Sequence, residues 1–375
     1  MKGGVRKRGE KWYYYFDLGA VNGKRKKIER VGGKTKKEAE KALRDALSEF
    51  ENEGQLFSDN EMSFSDFLDF WYKEYVLLNC KYGTQKNYEK IIKNHLKPDL
   101  GKYKLKNLNP AILQKFLNDK SRFGLSKNSI NNFYGVLSGA LKSAVYPFKF
   151  IKENPMQYVH MPKMQENKKN DLKIISLKDF NKILERFPQG SSFYIPLQIA
   201  FNTGMRGGEV TALQWDDIDL ENKIIHVRHT LISKGKEGFE LGTPKTESSY
   251  RKINIGDTLT KVLREHKKLQ KEMKLKFGEW YINSNFVCTK EMGEHVTTNS
   301  LKYLSRVVNY ELGIDFNFHS LRHTHATMLL ENGANIKDIQ HRLGHAKIST
   351  TMDTYSHVTN NMRNQTVNIF ESIVE

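Results

Sequence analysis

The chain has 375 residues, enough for two or three domains that each bury an apolar core. Its 61 Lys and Arg against 43 Asp and Glu leave a formal net charge of +18, a field that attracts polyanions and makes nucleic acid the leading partner. Two cysteines far apart (Cys80 and Cys288), no apolar run near membrane-spanning length and no signal peptide argue against a disulfide scaffold, a clustered zinc site and a membrane protein, so a cytoplasmic location in a bacterial or phage-infected cell is expected.

Much of the charge sits at the start, where residues 1–37 hold thirteen Lys or Arg against Glu10, Asp17 and Glu29. The aromatic run Lys11-Trp12-Tyr13-Tyr14-Tyr15-Phe16-Asp17-Leu18, with turn signals at Asn22-Gly23 and Gly32-Gly33, predicts a small three-stranded antiparallel sheet. Thr35 and Glu38 make a capping box, and Ala39, Ala42, Leu43, Ala46, Leu47 and Phe50 then recur at helical spacing, so a helix should cover one face of that sheet. Residues 1–57 read as one small domain. Basic and aromatic side chains interleaved on a narrow sheet suit entry into a DNA major groove.

Ser63 caps a helix with the apolar stripe Phe64, Phe67, Leu68, Trp71, Tyr72, Tyr75 and Val76. Three more helices are expected. Their signals are Thr84 with a stop at Pro98 and Gly101, Asn109-Pro110 as cap and first turn, and Ser126 before Ile130, Phe133, Val136, Leu137, Ala140, Leu141 and Ala144. Residues 61–150 thus form a helical domain, and the polar, basic stretch 151–175 with Pro155 and Pro162 reads as a linker. Residues 176–375 read as a mostly α domain with a short antiparallel sheet from Ile224-Ile225-His226-Val227 and Tyr250-Arg251-Lys252-Ile253-Asn254-Ile255, giving a multidomain α+β chain.

Three segments of this last domain carry residues suited to phosphoryl transfer: Thr203-Gly204-Met205-Arg206-Gly207-Gly208-Glu209, His319-Ser320-Leu321-Arg322-His323, and Leu343-Gly344-His345 running on to Thr354-Tyr355-Ser356-His357. Attack on a phosphodiester concentrates negative charge on the non-bridging oxygens, and planar guanidinium groups such as Arg206 and Arg322 donate to such oxygens in pairs. A nucleophile that must hold a DNA end reversibly should also be a moderate leaving group, which a phenol such as Tyr355 is. The departing sugar oxygen needs a proton from a cation-crowded Lys or His.

Together these segments resemble the signature of the tyrosine recombinase (phage integrase) family, in order and at plausible intervals over roughly residues 172–375. The resemblance implies Tyr355 as the nucleophile of a 3′-phosphotyrosyl intermediate and Arg206 and Arg322 as phosphate clamps. It further implies Lys245 as the general acid of a β-hairpin, His319 as the base assisting Tyr355, His345 as a phosphate donor and Glu209 as a supporting residue. Lys234, Lys236 and Lys252 compete with Lys245 for the lysine role. No cofactor or metal is implied, since the phosphotyrosyl bond conserves the energy of the diester; His319 and His323, four apart on a helix, leave half of a zinc site as the rival reading. His323, His325, His341 and His357 read as packing or supporting groups.

The first 57 residues resemble the arm-binding domain of integrases from Gram-positive mobile elements, and residues 61–150 the family's core-binding domain. The implied function is integration and excision of a mobile element. The implied partners are arm-type and core-type DNA sites, three further copies in a tetramer, an excisionase and a host DNA-bending protein. A chromosome-dimer resolvase, a type IB topoisomerase-like enzyme and a non-catalytic DNA-binding regulator stay open as alternatives. Val367, Ile369, Phe370, Ile373 and Val374 suggest a terminal segment that docks on a neighbouring protomer.

Overall fold

The computed structural model describes residues 3–21, 24–53, 62–164, 173–235, 238–244, 247–355 and 371. It divides into two compact units, residues 1–167 and 168–375. The expected α+β character is present in full: a small N-terminal sheet with its helix, a helical bundle, and a helix-rich unit with short antiparallel sheets. Among the described residues no helix is long and apolar enough to cross a membrane.

The first unit opens with β1 (Gly3–Arg8), β2 (Lys11–Val21) and β3 (Lys24–Gly33), paired antiparallel in the order β1-β2-β3. Strand alternation divides the aromatic run between two faces. Tyr14 and Phe16 stack and are buried with Ala46 of α1 (Lys36–Glu53). On the other phase, Tyr13 and Tyr15 pair with Arg6 and Gly4 of β1 and with Val31 and Glu29 of β3. There Arg6 bonds Glu29 and lies over the Tyr15 ring, 5.3 Å from its centre. The Thr35–Glu38 capping box forms, and the Glu38 carboxylate also accepts from the Lys34 N–H. Gly32 and Gly33 end β3 rather than forming a turn, and the bend falls at Lys34-Thr35. The Asn22-Gly23 turn lies outside the described residues.

The helical part begins with α2 (Phe64–Trp71), capped by Ser63 as expected, and passes through a wide π turn (Tyr72–Val76) into α3 (Leu77–Asn79). Next, α4 (Tyr82–Ile91) takes Lys81 rather than Thr84 as its cap residue. It runs through a second π turn (Ile92–Leu96) into α5 (Lys97–Leu100), so the chain does not stop at Pro98. Pro98 sits in the first turn after the π segment, where its missing N–H costs little. Two longer helices, α6 (Pro110–Arg122) and α7 (Lys127–Val145), complete the bundle under the expected caps Asn109 and Ser126. Trp71 lies at its centre, donating from Nε1 to Ser143 Oγ at 3.0 Å. Within the stretch expected as linker, Met156 and Val159 are buried in this same core, and the His160 N–H donates to Gln114.

The second unit contains α8 (Leu177–Arg186), α9 (Tyr194–Thr203), α10 (Gly207–Ala212), β4 (Ile218–Asp219), β5 (Ile224–Val227), β6 (Thr230–Ser233), β7 (Phe239–Gly242), β8 (Arg251–Asn254), α11 (Asp257–Phe277), α12 (Thr298–Leu312), α13 (Ser320–Glu331), α14 (Ile336–Leu343) and α15 (Ile348–Tyr355). Strands pair as β4-β5-β8, and β6-β7 form a separate hairpin. The α9 helix is apolar nearly all round and is correspondingly central: Ile195, Leu197, Ile199 and Ala200 pack among Leu259 and Leu263 of α11 and Leu321 of α13. A smaller apolar cluster of Ala326, Leu330, Ile339 and Leu343 joins α13 to α14. These two cores bring the ends of α9, α13 and α14 together.

Candidate active site

The site is assembled where α9 and α14 end. Both helices close on a glycine in the left-handed region, Gly204 at φ 67° and Gly344 at φ 68°. A side chain at Gly204 would also strike the His325 ring and Leu343, so glycine is required twice over. Helix C-termini present unpaired carbonyls and partial negative charge, which invites cations. Arg322, from α13 and only 2% exposed, answers both ends at once. Its Nη1 donates to the Gly204 carbonyl at 2.8 Å and its Nη2 to the Leu343 carbonyl at 2.8 Å.

Arg206 stands at the cap position of α10. Glu209 accepts from the Arg206 backbone N–H and from its Nη1, both at 2.9 Å, while Nη2 donates to the Gly344 carbonyl at 3.2 Å. Arg206 and Arg322 are thereby tied to successive carbonyls of one loop, Leu343 and Gly344, which leads into His345.

The rest of the support was not foreseen from sequence. Arg251, buried on β8, donates to Glu209 Oε2 at 2.8 Å, to the Arg342 carbonyl at 2.7 Å and to the Ser249 carbonyl at 3.1 Å. Burial works to raise the Glu209 carboxyl, but the bond and charge of Arg251, together with Arg206, hold it below the ordinary carboxylate value. Arg342 in turn reaches the carbonyls of Asn254 and Asn202, each at 3.0 Å, and donates from Nε to His325 Nε2 at 2.9 Å. Because His325 Nδ1 meets the Phe201 carbonyl at 2.8 Å, Nδ1 must carry the proton and Nε2 must accept. Burial and Arg342 push His325 down to about 4, in keeping with a neutral ring.

Two of the predicted histidines face these arginines. His319 occupies the cap position of α13 with its ring perpendicular to that of His323, centres 4.8 Å apart, and the surrounding protein, His323, Arg322 and Arg206 lower its pKa. His345 is pushed down to about 4 by burial, then by Arg322, Arg206 and Arg251, and its Nδ1 lies 2.9 Å from Thr351 Oγ1. Neutral histidines offer hydrogen bonds to an oxyanion without a charge of their own, and fixed guanidinium groups offer both hydrogen bonds and positive charge. Among the described residues no group of three or more His, Cys, Asp or Glu is placed to hold a metal.

Arg206, Glu209, His319, Arg322 and His345 therefore converge. Tyr355 is described in its backbone, as the last residue of α15, one turn beyond Thr351. Lys245 lies outside the described residues, between Pro244 and the 3-10 turn at Glu247–Ser249. The segment after Tyr355 also lies outside them, apart from Glu371. Arg251 did carry a signal in the sequence: it is in phase with the buried Ile253 and Ile255, and an arginine on the buried side of a strand needs acceptors.

Three family descriptions match the chain: the Arm DNA-binding domain over residues 5–50, the N-terminal SAM-like domain of phage integrases over 63–121, and the phage integrase family over 172–362. A tyrosine recombinase XerC-like protein of Caldanaerobacter subterraneus is 31% identical over 343 residues, covering 87% of each chain. The ICEBs1 integrase of Bacillus subtilis is 26% identical over 361 residues, covering 93% of each. In fold the chain is similar to the Tn1549 transposon integrase solved in complex with transposon right end DNA, with a TM-score of 0.68, 21% identity, and coverage of 82% of this chain and 99% of that one. With a family match over more than half its length and a relative of this identity along most of the rest, the chain belongs to the phage integrase family and is a tyrosine-type site-specific recombinase.

Proposed function

We propose that this recombinase is the integrase of a mobile element, cutting and rejoining DNA through Tyr355. The observation that carries the reading is the pair of arginines, Arg206 and Arg322, fixed to adjacent carbonyls of the loop that bears His345. Guanidinium groups held in this way stabilise the charge that builds on the non-bridging oxygens as the phosphate becomes five-coordinate. His345 donates to the same phosphate, His319 takes the tyrosine proton, and Glu209 orients Arg206. Lys245 delivers the proton to the departing 5′-oxygen. Tyr355 then holds the 3′-phosphate until a 5′-hydroxyl from the partner duplex attacks, so bond energy is conserved and no ATP is consumed.

Residues 1–57 serve arm-type sites, and residues 61–150 with 176–375 serve the core site, joined by the segment 151–175. Two duplexes present four strands, and each chain brings one Tyr355, so complete exchange calls for four protomers. An excisionase and a host DNA-bending protein are the accessory partners that would set direction. The match of residues 5–50 to an arm-binding domain favours integrase over simple resolvase, since resolution of one repeated site needs no second class of DNA contact. A nicked core-site substrate, which traps the cut strand, tests the chemistry. Wild type should form an SDS-resistant protein–DNA adduct and Tyr355→Phe none; an equal adduct in the variant removes Tyr355 from the role.

A further inference from the structure

We infer that Thr351 is a positioning residue for the recombination reaction: its hydroxyl fixes the tautomer of His345 so that Nε2–H is presented as a donor, and in doing so ties the helix of Tyr355 to the phosphate site. The inference rests on the reading of His345 as a phosphate donor. Thr351 is fully buried and its Oγ1 is 2.9 Å from His345 Nδ1. Two arrangements fit that distance. If Nδ1–H donated to the threonine, the hydroxyl proton of a buried side chain would need another acceptor, and the described residues show no second partner for Oγ1. If the hydroxyl donates to Nδ1, the buried hydroxyl and Nδ1 satisfy each other and the ring proton resides on Nε2.

The tautomer matters because this histidine stands among Arg322, Arg206 and Arg251 and is neutral at physiological pH without DNA. A neutral imidazole has one N–H. With Nδ1 protonated it would turn a lone pair toward a phosphate oxygen, which repels; with Nε2 protonated it donates. A hydrogen bond from a buried hydroxyl selects the second form before DNA arrives.

The same bond has a mechanical effect. His345 belongs to the loop after α14, whereas Thr351 lies within α15, whose last residue is Tyr355. Apart from helix packing, the His345–Thr351 contact is a direct polar link between the loop held by both arginines and the helix of the nucleophile. Its loss should therefore affect cleavage more than binding.

The experiment compares wild type, Thr351→Val, Thr351→Ser and Tyr355→Phe in the full chain, measuring adduct formation on the nicked core substrate and equilibrium binding to intact core DNA. Valine keeps the shape and removes the hydroxyl; serine keeps the hydroxyl. The expected result is adduct formation slowed about 10- to 100-fold in Thr351→Val, a range typical of lost orienting or oxyanion-donor contacts, with DNA binding unchanged and near-wild-type rates in Thr351→Ser. In parallel, 15N spectra of histidine-labelled DNA-free wild type, with His345 assigned by His345→Asn, should show the proton on Nε2. That reading does not depend on the valine variant folding. A proton on Nδ1, or a valine variant that cuts as fast as wild type, overturns the inference. Absence of any adduct in wild type would instead overturn the proposed chemistry, so the two failures are distinguishable.

Discussion

Arg251 Nη2 and Glu209 Oε2 lie 2.8 Å apart, and both side chains are almost wholly buried. Neither group has a direct claim on substrate in the proposed mechanism, yet the pair links β8 to the cap of α10 and, through the Arg342 carbonyl, to the end of α14. Removing one partner strands the other charge out of water. Arg251→Met should therefore destabilise the protein by roughly 3 kcal/mol, the lower end of the range for a broken buried ion pair, since Arg206 still serves Glu209. Urea unfolding should also show that Arg251→Met/Glu209→Gln costs less than the two single changes added together. Strict additivity would mean that the contact contributes nothing.

Glu209 adds a pH signature to the same measurement. Its folded pKa lies below the ordinary carboxylate value of 4.5, so the folded state gives up the proton more readily than the unfolded chain. Stability from this group is complete above 4.5 and is lost as pH falls through the lower folded value. Glu209→Gln should flatten the acid limb of the stability curve.

The histidines act in a higher window. His325 and His345 are held at about 4 against 6.5 for a free imidazole. Below 6.5 the unfolded chain takes up protons that the folded one refuses, so the DNA-free protein should be most stable above 6.5 and lose stability steadily toward 4. Urea midpoints measured across that window check the slope, and His325→Gln, which can still accept from Arg342 and donate to Phe201, should reduce it. A flat profile in wild type would show that these rings are not held neutral.

Deleting residues 1–57 should separate the two classes of DNA contact. Binding to DNA that carries an arm site should lose affinity and show a shallower dependence on salt, because fewer phosphate contacts release fewer counter-ions. Adduct formation on the nicked core substrate should persist. An unchanged salt slope would remove the N-terminal sheet from DNA binding.

Local pattern made much of the architecture legible. The antiparallel strands around Tyr13 to Phe16, the Thr35–Glu38 box and the caps at Ser63, Asn109 and Ser126 are decided by residues within a few positions of one another, and each formed as expected. The π turns at Tyr72–Val76 and Ile92–Leu96 left no such mark. In the site, Arg206, Glu209, His319, Arg322 and His345 were readable because they fall in short motifs. Arg342 and Thr351 were not, and the strand phase of Arg251 marks its burial but not its partner: the Glu209 carboxylate, the His325 ring and the His345 ring that these side chains meet are supplied only by the folded chain.

Arg322 is held by the carbonyls that terminate α9 and α14 before any DNA is present. A long, flexible side chain usually surrenders its rotamer entropy when it grips a ligand, which weakens the grip. Here that loss is charged to folding. In the proposed mechanism the arginine meets a phosphate with its guanidinium already oriented, whereas a lysine in its place, with one mobile ammonium and no planar fork to span two helix ends, would have to be ordered anew at every encounter.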